Sequence, residues 1–307
     1  MKRLLSGLIL LAIIGAGGFW VLTSPRWQSQ DIGPIPTDTP NMDNGRSLFM
    51  AGNCMGCHAT PGQDDKLRLG GGLAMTSDFG TFTVPNISPD TRDGIGNWTV
   101  EQFARAMHAG EDPDGRHLYP AFPYASFQRM TARDLRDLFA FIKTLPAVEG
   151  QPPDHDLKFP FAIRRGVGLW KILYLDGEVF KPDPQRSASW NRGAYLVEAV
   201  AHCAECHSPR DALGGIVADR RFAGGPHPEG RGYVPNITPD EVTGIGKWSK
   251  EEIVELLTTG FTPTFDSVGG SMAAVVASTS QLSAEDREAM AEYLLSLPPR
   301  TATPRGN

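Results

Sequence analysis

The chain matches itself at a shift of about 150 residues, which constrains its fold more than any other feature, because a repeated unit must fold twice in much the same way. Val84-Pro85-Asn86-Ile87 returns as Val234-Pro235-Asn236-Ile237, and Gly94-Ile95-Gly96-Asn97-Trp98 as Gly244-Ile245-Gly246-Lys247-Trp248. Gly110 pairs with Gly260, and Leu145-Pro146 with Leu297-Pro298, now at a shift of 152. Asn44-Gly45-Arg46 is echoed by Asn191-Arg192-Gly193. The chain therefore holds two like domains, each of roughly 105 to 115 residues.

Each repeat carries one Cys-x-x-Cys-His pentapeptide, Cys54-Met55-Gly56-Cys57-His58 and Cys203-Ala204-Glu205-Cys206-His207, and together they use all four cysteines. Two thiols at this spacing reach both vinyl groups of one haem as thioethers, while the adjacent His sets an imidazole nitrogen under the iron. A dithiol redox pair and half of a zinc site compete, since Cys-x-x-Cys serves both. The following His weakens each. A zinc ribbon would merge the two pairs into one tetrahedral site, leaving both histidines unexplained and each repeat without a core. The reading adopted is two covalently bound haem c groups, with His58 and His207 as iron ligands.

Helix starts recur in both repeats. Thr99 with Gln102, and Ser249 with Glu252, have the spacing of N-caps with reciprocal side chains. Phe103, Ala106 and Met107, and likewise Ile253, Leu256 and Leu257, fall on one helical face behind them. A last helix opens at Thr131 with Asp134 and at Ser283 with Asp286. Its predicted buried face is Leu135, Leu138, Phe139 and Ile142 in one domain and Met290, Tyr293, Leu294 and Leu297 in the other. These signals predict all-α domains with long Gly/Pro loops wrapped around a large apolar cofactor.

Residues 4–22 carry no charge and follow Lys2 and Arg3, a run long enough to cross a bilayer as one helix with its basic flank in the cytoplasm. A cleaved signal peptide is the rival reading, favoured by the small residues at 15–18. The run continues through Phe19, Trp20, Val21 and Leu22, without a small-x-small cleavage site. Either way the remainder is exported, which in a bacterium places it on the periplasmic side of the inner membrane. The net charge is −6 with no basic block, so the electrostatic footprint of a nucleic-acid binder is missing. The expected division is residues 1–24 as anchor or signal, 25–40 as tether, 41–149 as the first domain, 150–185 as an interdomain brace, 186–300 as the second domain and 301–307 as a tail. Within the brace, Ile163, Val167, Trp170, Leu173 and Tyr174 share one side of a short helix that also carries Arg164, Arg165 and Lys171. It packs across both domains or lies on the membrane beside the anchor.

The sequence resembles class I c-type cytochromes, and more closely the cytochrome subunits of membrane-bound alcohol, aldehyde and gluconate dehydrogenases. The resemblance rests on Asn191-Arg192-Gly193-Ala194-Tyr195-Leu196-Val197, the two Cys-x-x-Cys-His motifs, the Pro-Asn-Ile-Ser/Thr-Pro-Asp segments at 85–90 and 235–240, and Leu118-Tyr119-Pro120-Ala121-Phe122-Pro123-Tyr124. Those subunits often carry three haems, whereas this chain has two motifs. The resemblance implies that the carbonyls of Pro85 and Pro235 orient His58 and His207, and that Met272 is the sixth ligand of the C-terminal iron. Carrying the shift of 150 forward sets Phe122 opposite Met272, and phenylalanine cannot ligate iron. Haem 1 is then five-coordinate or weakly held, with Met130 the best alternative ligand. Met107 reads as core, and His108 and His117 read as solvated loop residues.

The resemblance further implies electron transfer from a membrane-bound or periplasmic dehydrogenase subunit to quinone, an oxidase or a soluble cytochrome. The chain has no Rossmann glycine fingerprint for oxidising an organic substrate itself. A diheme enzyme of peroxidase or thiosulfate-oxidising type with an open haem 1, and the diheme subunit of a haem-copper oxidase, remain as alternatives.

Overall fold

The computed structural model describes residues 2–25, 32–228 and 232–302. Residues 26–31 of the expected tether and 303–307 of the expected tail lie outside them. Helix α1 (Lys2–Leu22) is one continuous helix, and Arg3–Leu22 is long and apolar enough to cross a membrane.

The first domain runs through α2 (Met42–Ala51), α3 (Cys54–His58), the hairpin β1 (Ala74–Ser77) and β2 (Gly80–Thr83), α4 (Val100–Ala109), α5 (Tyr124–Phe127) and α6 (Ala132–Ile142). After β3 (Asp156–Leu157) and α7 (Val167–Tyr174), the second domain repeats the plan. Its elements are α8 (Ala188–Tyr195), α9 (Ala204–His207), β4 (Gly225–Pro226), β5 (Tyr233–Val234), α10 (Lys250–Thr259), α11 (Ser271–Thr279) and α12 (Ala284–Leu295). A π-helical turn at Leu196–Val200 extends α8.

The predicted caps are present. Thr99 with Gln102 and Ser249 with Glu252 form complete capping boxes, satisfying two otherwise orphaned N–H groups at each helix start. Thr131 and Ser283 accept from the backbone N–H of Asp134 and Asp286. The predicted apolar faces of α4 and α6 are buried. In the second domain Leu256 is half-buried, and Leu297 lies past the end of α12.

In both domains the first helix crosses the last at a glycine. A Cβ on Gly45 would stand 2.2 Å from the Asp137 carbonyl oxygen, and one on Gly193 would stand 1.9 Å from that of Ala289. Only a residue without a side chain lets the two backbones approach so closely.

The chain is predominantly helical but not all-α. The two-residue turn Asp78-Phe79 pairs Ala74 with Thr83 and Ser77 with Gly80, and β3 adds to the free edge of β2. Thr76, Thr81, Phe82 and Thr83 supply the β-branched and aromatic side chains that favour pleated backbone. The second domain keeps only the two-residue ladder of β4 and β5.

The domains meet across a pseudo-twofold interface. Ser126 Oγ donates to Glu205 Oε1 at 2.8 Å, and its counterpart Ser278 Oγ donates to Asn53 Oδ1 at 2.7 Å. Tyr195 donates to the Asp134 carboxylate, and in the mirrored position Ser47 Oγ lies 3.4 Å from Asp286 Oδ2. Buried side chains of both domains form one continuous apolar cluster.

Candidate functional site

Each Cys-x-x-Cys-His motif forms a single helical turn entered through a left-handed residue, Asn53 (φ 48°) in the first domain and His202 (φ 41°) in the second. That turn sets both thiols of a motif and its histidine on one short element. All four cysteines are half-buried, and no disulfide joins any of them. Burial pushes the Cys54 and Cys203 thiols up to about 12.

The histidines meet the same surroundings. His58 Nδ1 lies 2.9 Å from the Pro85 carbonyl oxygen, and His207 Nδ1 lies 2.8 Å from that of Pro235, the pairing the resemblance implied. With the Nδ1 proton donated to a carbonyl, Nε2 keeps its lone pair for a metal. Burial draws the His58 imidazole down to about 4, partly offset by the Pro85 bond, and it lowers His207 by the same causes. Both shifts favour the neutral ring. The fit to haem c is good: one oriented neutral imidazole, two adjacent thiols and an apolar surround. Among the described residues no three or more His, Cys, Asp or Glu side chains converge as a metal cage.

Glycines the sequence reading passed over make the His–Pro contact possible. Gly71 (φ 69°) donates its N–H to the His58 carbonyl, and Gly224 (φ 71°) to that of His207. A Cβ on Gly71 would meet Pro85 at 2.5 Å, and one on Gly224 would meet the Val234 carbonyl oxygen at 2.5 Å. Gly70-Gly71-Gly72 and Gly224-Gly225 were the available signal. Asn86 and Asn236 hold the proline segments from behind, donating at 2.7 Å to Val148 O and at 2.6 Å to Arg300 O.

Met272 is half-buried in the first turn of α11. Phe122 precedes α5, half-buried, with its ring 5.5 Å from Phe127. Backbone bonds pair Leu118 N–H with Gly110 O and Val268 N–H with Gly260 O, so the shift of 150 holds to that point. Tyr124 then packs over Gly110, and Val276 over Gly260, a shift of 152. The two-residue offset thus falls inside the Phe122/Met272 segment, earlier than Thr131/Ser283 suggested, and the extra residues lengthen α11 at its start.

Met107 and Met130 are buried, the latter completely. His108 and His117 were expected in solvent and are not, being 1% and 3% exposed. His108 Nδ1 meets Gln128 O at 2.7 Å, and His117 is enclosed by α1 and α7.

The segments leading into the two motifs meet. His202 Nε2 donates to Gly52 O at 3.3 Å, joining the residues just ahead of each cysteine pair, and the His202 ring stands edge-on to Phe127 at 5.3 Å. Glu205, inside the second motif, is held by Arg210 and Ser126, and these partners keep its carboxylate below the usual range against the cost of burial.

Comparison with known proteins agrees with this geometry. Residues 42–146 match the cytochrome c family, and residues 188–294 match the cytochrome c oxidase cbb3-type subunit III family. A diheme cytochrome c-type protein of Cereibacter sphaeroides is 45% identical over 299 residues, 97% of this chain and 98% of that protein. The fructose dehydrogenase cytochrome subunit of Gluconobacter japonicus is 37% identical over 90% of this chain. The cytochrome c subunit of a quinone alcohol dehydrogenase from Gluconacetobacter polyoxogenes is 35% identical over 87% of it. The chain spans only 56% and 59% of those two longer subunits. Two Cys-x-x-Cys-His turns with the same His–Pro contact, and a relative matched over 97% of this chain, show that the chain belongs to the c-type cytochromes, with two cytochrome c domains in tandem.

Proposed function

We propose that the protein is a periplasmic diheme cytochrome, held to the inner membrane by α1, that passes electrons from a dehydrogenase subunit to quinone, an oxidase or a soluble cytochrome. Cys54, Cys57 and His58 would hold one haem c, and Cys203, Cys206, His207 and Met272 would hold the other. Bound haem c supplies a one-electron couple whose potential the surrounding residues set. Pro85 and Pro235 fix the ring planes of the two histidines and raise their basicity.

The observation that carries a relay is the contact of Gly52 with His202, which joins the segments leading into the two motifs. The dehydrogenase names of the relatives support the choice of donor. The test is to purify the haem-loaded chain from its own membranes and identify what accompanies it. A flavin, quinone-cofactor or molybdenum subunit whose substrate reduces both haems is the expected result. Peroxide or thiosulfate turnover by the chain alone would favour a catalytic haem 1 instead.

A further inference from the structure

The segment that follows β2's partner strand is unlike the rest of the chain. From residue 157 to residue 175 there is no Asp or Glu but there are four cations, Lys158, Arg164, Arg165 and Lys171, in a protein of net charge −6. Its exposed side chains are large and apolar: Phe159 (83% exposed), Leu173 (62%), Ile172 (51%), Ile163 (50%) and Leu169 (41%). Leu169, Ile172 and Leu173 stand at i, i+3 and i+4 on α7 and so share one side of it. The opposite side is already occupied. Trp170 Nε1 donates to Leu213 O and Tyr174 to Asp211 in the second domain, and Lys171 Nζ donates to Ala109 O and Gly110 O in the first. An apolar face turned outward on a helix fixed at its back is an unusual exposure of hydrophobic area.

Its neighbour indicates what covers it. The C-terminal end of α1 is fastened to this same segment. Arg165 donates to the Trp20 carbonyl at 2.7 Å and lies 3.7 Å over the Trp20 ring. Gly168 abuts Thr23 so closely that a Cβ would stand 2.7 Å from its Cα, and His117 Nε2 donates to Thr23 O at 2.8 Å. The exposed apolar surface of α1 therefore continues, around an Arg-clamped Trp, onto the outer face of α7. Trp at the end of a membrane-length helix marks the headgroup level. A short helix at that level with a basic flank and an apolar face lies in the plane of the bilayer.

The geometry points to residues 159–173 as a second membrane contact, in which α7 rests on the anionic periplasmic leaflet with Phe159, Leu169, Ile172 and Leu173 at the acyl boundary. This rests on the anchoring role of α1. It adds that the anchor is a rigid two-part foot, with both cytochrome domains held at a fixed height and orientation over the membrane.

The test uses the haem-loaded full chain in nanodiscs whose phosphatidylglycerol carries a photoactivatable group at mid-acyl chain, with cross-linked peptides read by mass spectrometry. Label is expected in peptides covering 159–173 as well as in α1, and more strongly than in phosphatidylcholine discs. Peptides around Val242 and Phe265, each 89% exposed in the second domain, serve as reference and should stay unlabelled. Ile172→Glu with Leu173→Glu should lower the 159–173 label on the order of fivefold or more, with haem content and α1 label unchanged. Label confined to α1 would overturn the second contact and leave the anchor standing, whereas loss of label from both would overturn the two together. Protection of 159–173 that arises only when the purified dehydrogenase subunit is added would also overturn it, in favour of a protein-docking face.

Discussion

A histidine that holds a metal through one ring nitrogen is fixed by what its other nitrogen meets, and here both candidates meet a proline carbonyl. Cys203→Ser with Cys206→Ser is expected to remove one covalent haem and leave the other, read as haem per chain by pyridine haemochrome. A double variant that keeps both would sink the assignment. Met272→Ala should abolish the weak near-infrared band of a thioether-ligated ferric haem. Because Phe122 offers no donor atom, ferric electron paramagnetic resonance should show one high-spin and one low-spin haem, and carbon monoxide should bind only the former when reduced. Loss of a low-spin signal on Met130→Ala would assign that sulfur to haem 1 instead. Repeat arithmetic alone could not locate the two-residue offset, because Tyr119-Pro120-Ala121-Phe122-Pro123 and the Gly269-Gly270-Ser271-Met272-Ala273 segment share no residue pattern to align on. Only the packing of Tyr124 and Val276 over equivalent glycines shows where it lies.

At the scale of elements, His117 joins the residue after α1 to Lys171 of α7, and Lys171 in turn holds the C-terminal end of α4. The ring gives its Nε2 proton to Thr23 O and accepts from the Lys171 ammonium at Nδ1, 2.9 Å away. Arg164 and Arg165 add positive charge nearby. Burial, then Lys171, lower this imidazole from 6.5 to about 4, so between those values the unfolded chain binds the proton and the folded chain does not. The contribution to stability is complete above about pH 6.5 and is lost as pH falls through about 4. His117→Gln should flatten that part of the pH dependence of the denaturant midpoint, and an unchanged slope would show the ring to be uncoupled from folding. Lys171 is 2% exposed with three acceptors around it, and since Gly110 O also accepts from Leu118 N–H, Lys171→Met should cost about 3 kcal/mol by leaving Ala109 O and His117 Nδ1 buried without this donor. Gly193→Ala would drive a methyl group into the Ala289 carbonyl, and a loss of about 2 kcal/mol is expected in chemical unfolding.

Over the whole molecule, the contacts of Ser126 with Glu205 and Ser278 with Asn53 tie the two domains together. One calorimetric transition is expected for the haem-loaded chain. Tyr195→Phe removes a bond to the Asp134 carboxylate and leaves the Thr131 N–H unpartnered, a loss of about 2 kcal/mol. Combined with Ser126→Ala it should split the transition in two. Two transitions already present in the unaltered chain would show that the domains fold independently.

The repeat, the helix caps, the apolar faces and the two attachment motifs were legible in the sequence by itself, because each depends on residues within a few positions of one another or on identity between the two halves. Tertiary structure alone decided the rest. His108 and His117 read as solvent-facing beside polar loops, yet partners 20 and 94 residues away enclose them. Apolar residues run around α7, so periodicity could not say which would face the protein: Trp170 and Tyr174 turned inward, Leu173 outward. The contact of Gly52 with His202 spans 150 residues and has no local signature. Local pattern records what neighbours along the chain require, whereas burial, charge pairing and the meeting of the segments leading into the two motifs arise only when distant surfaces compete for the same space.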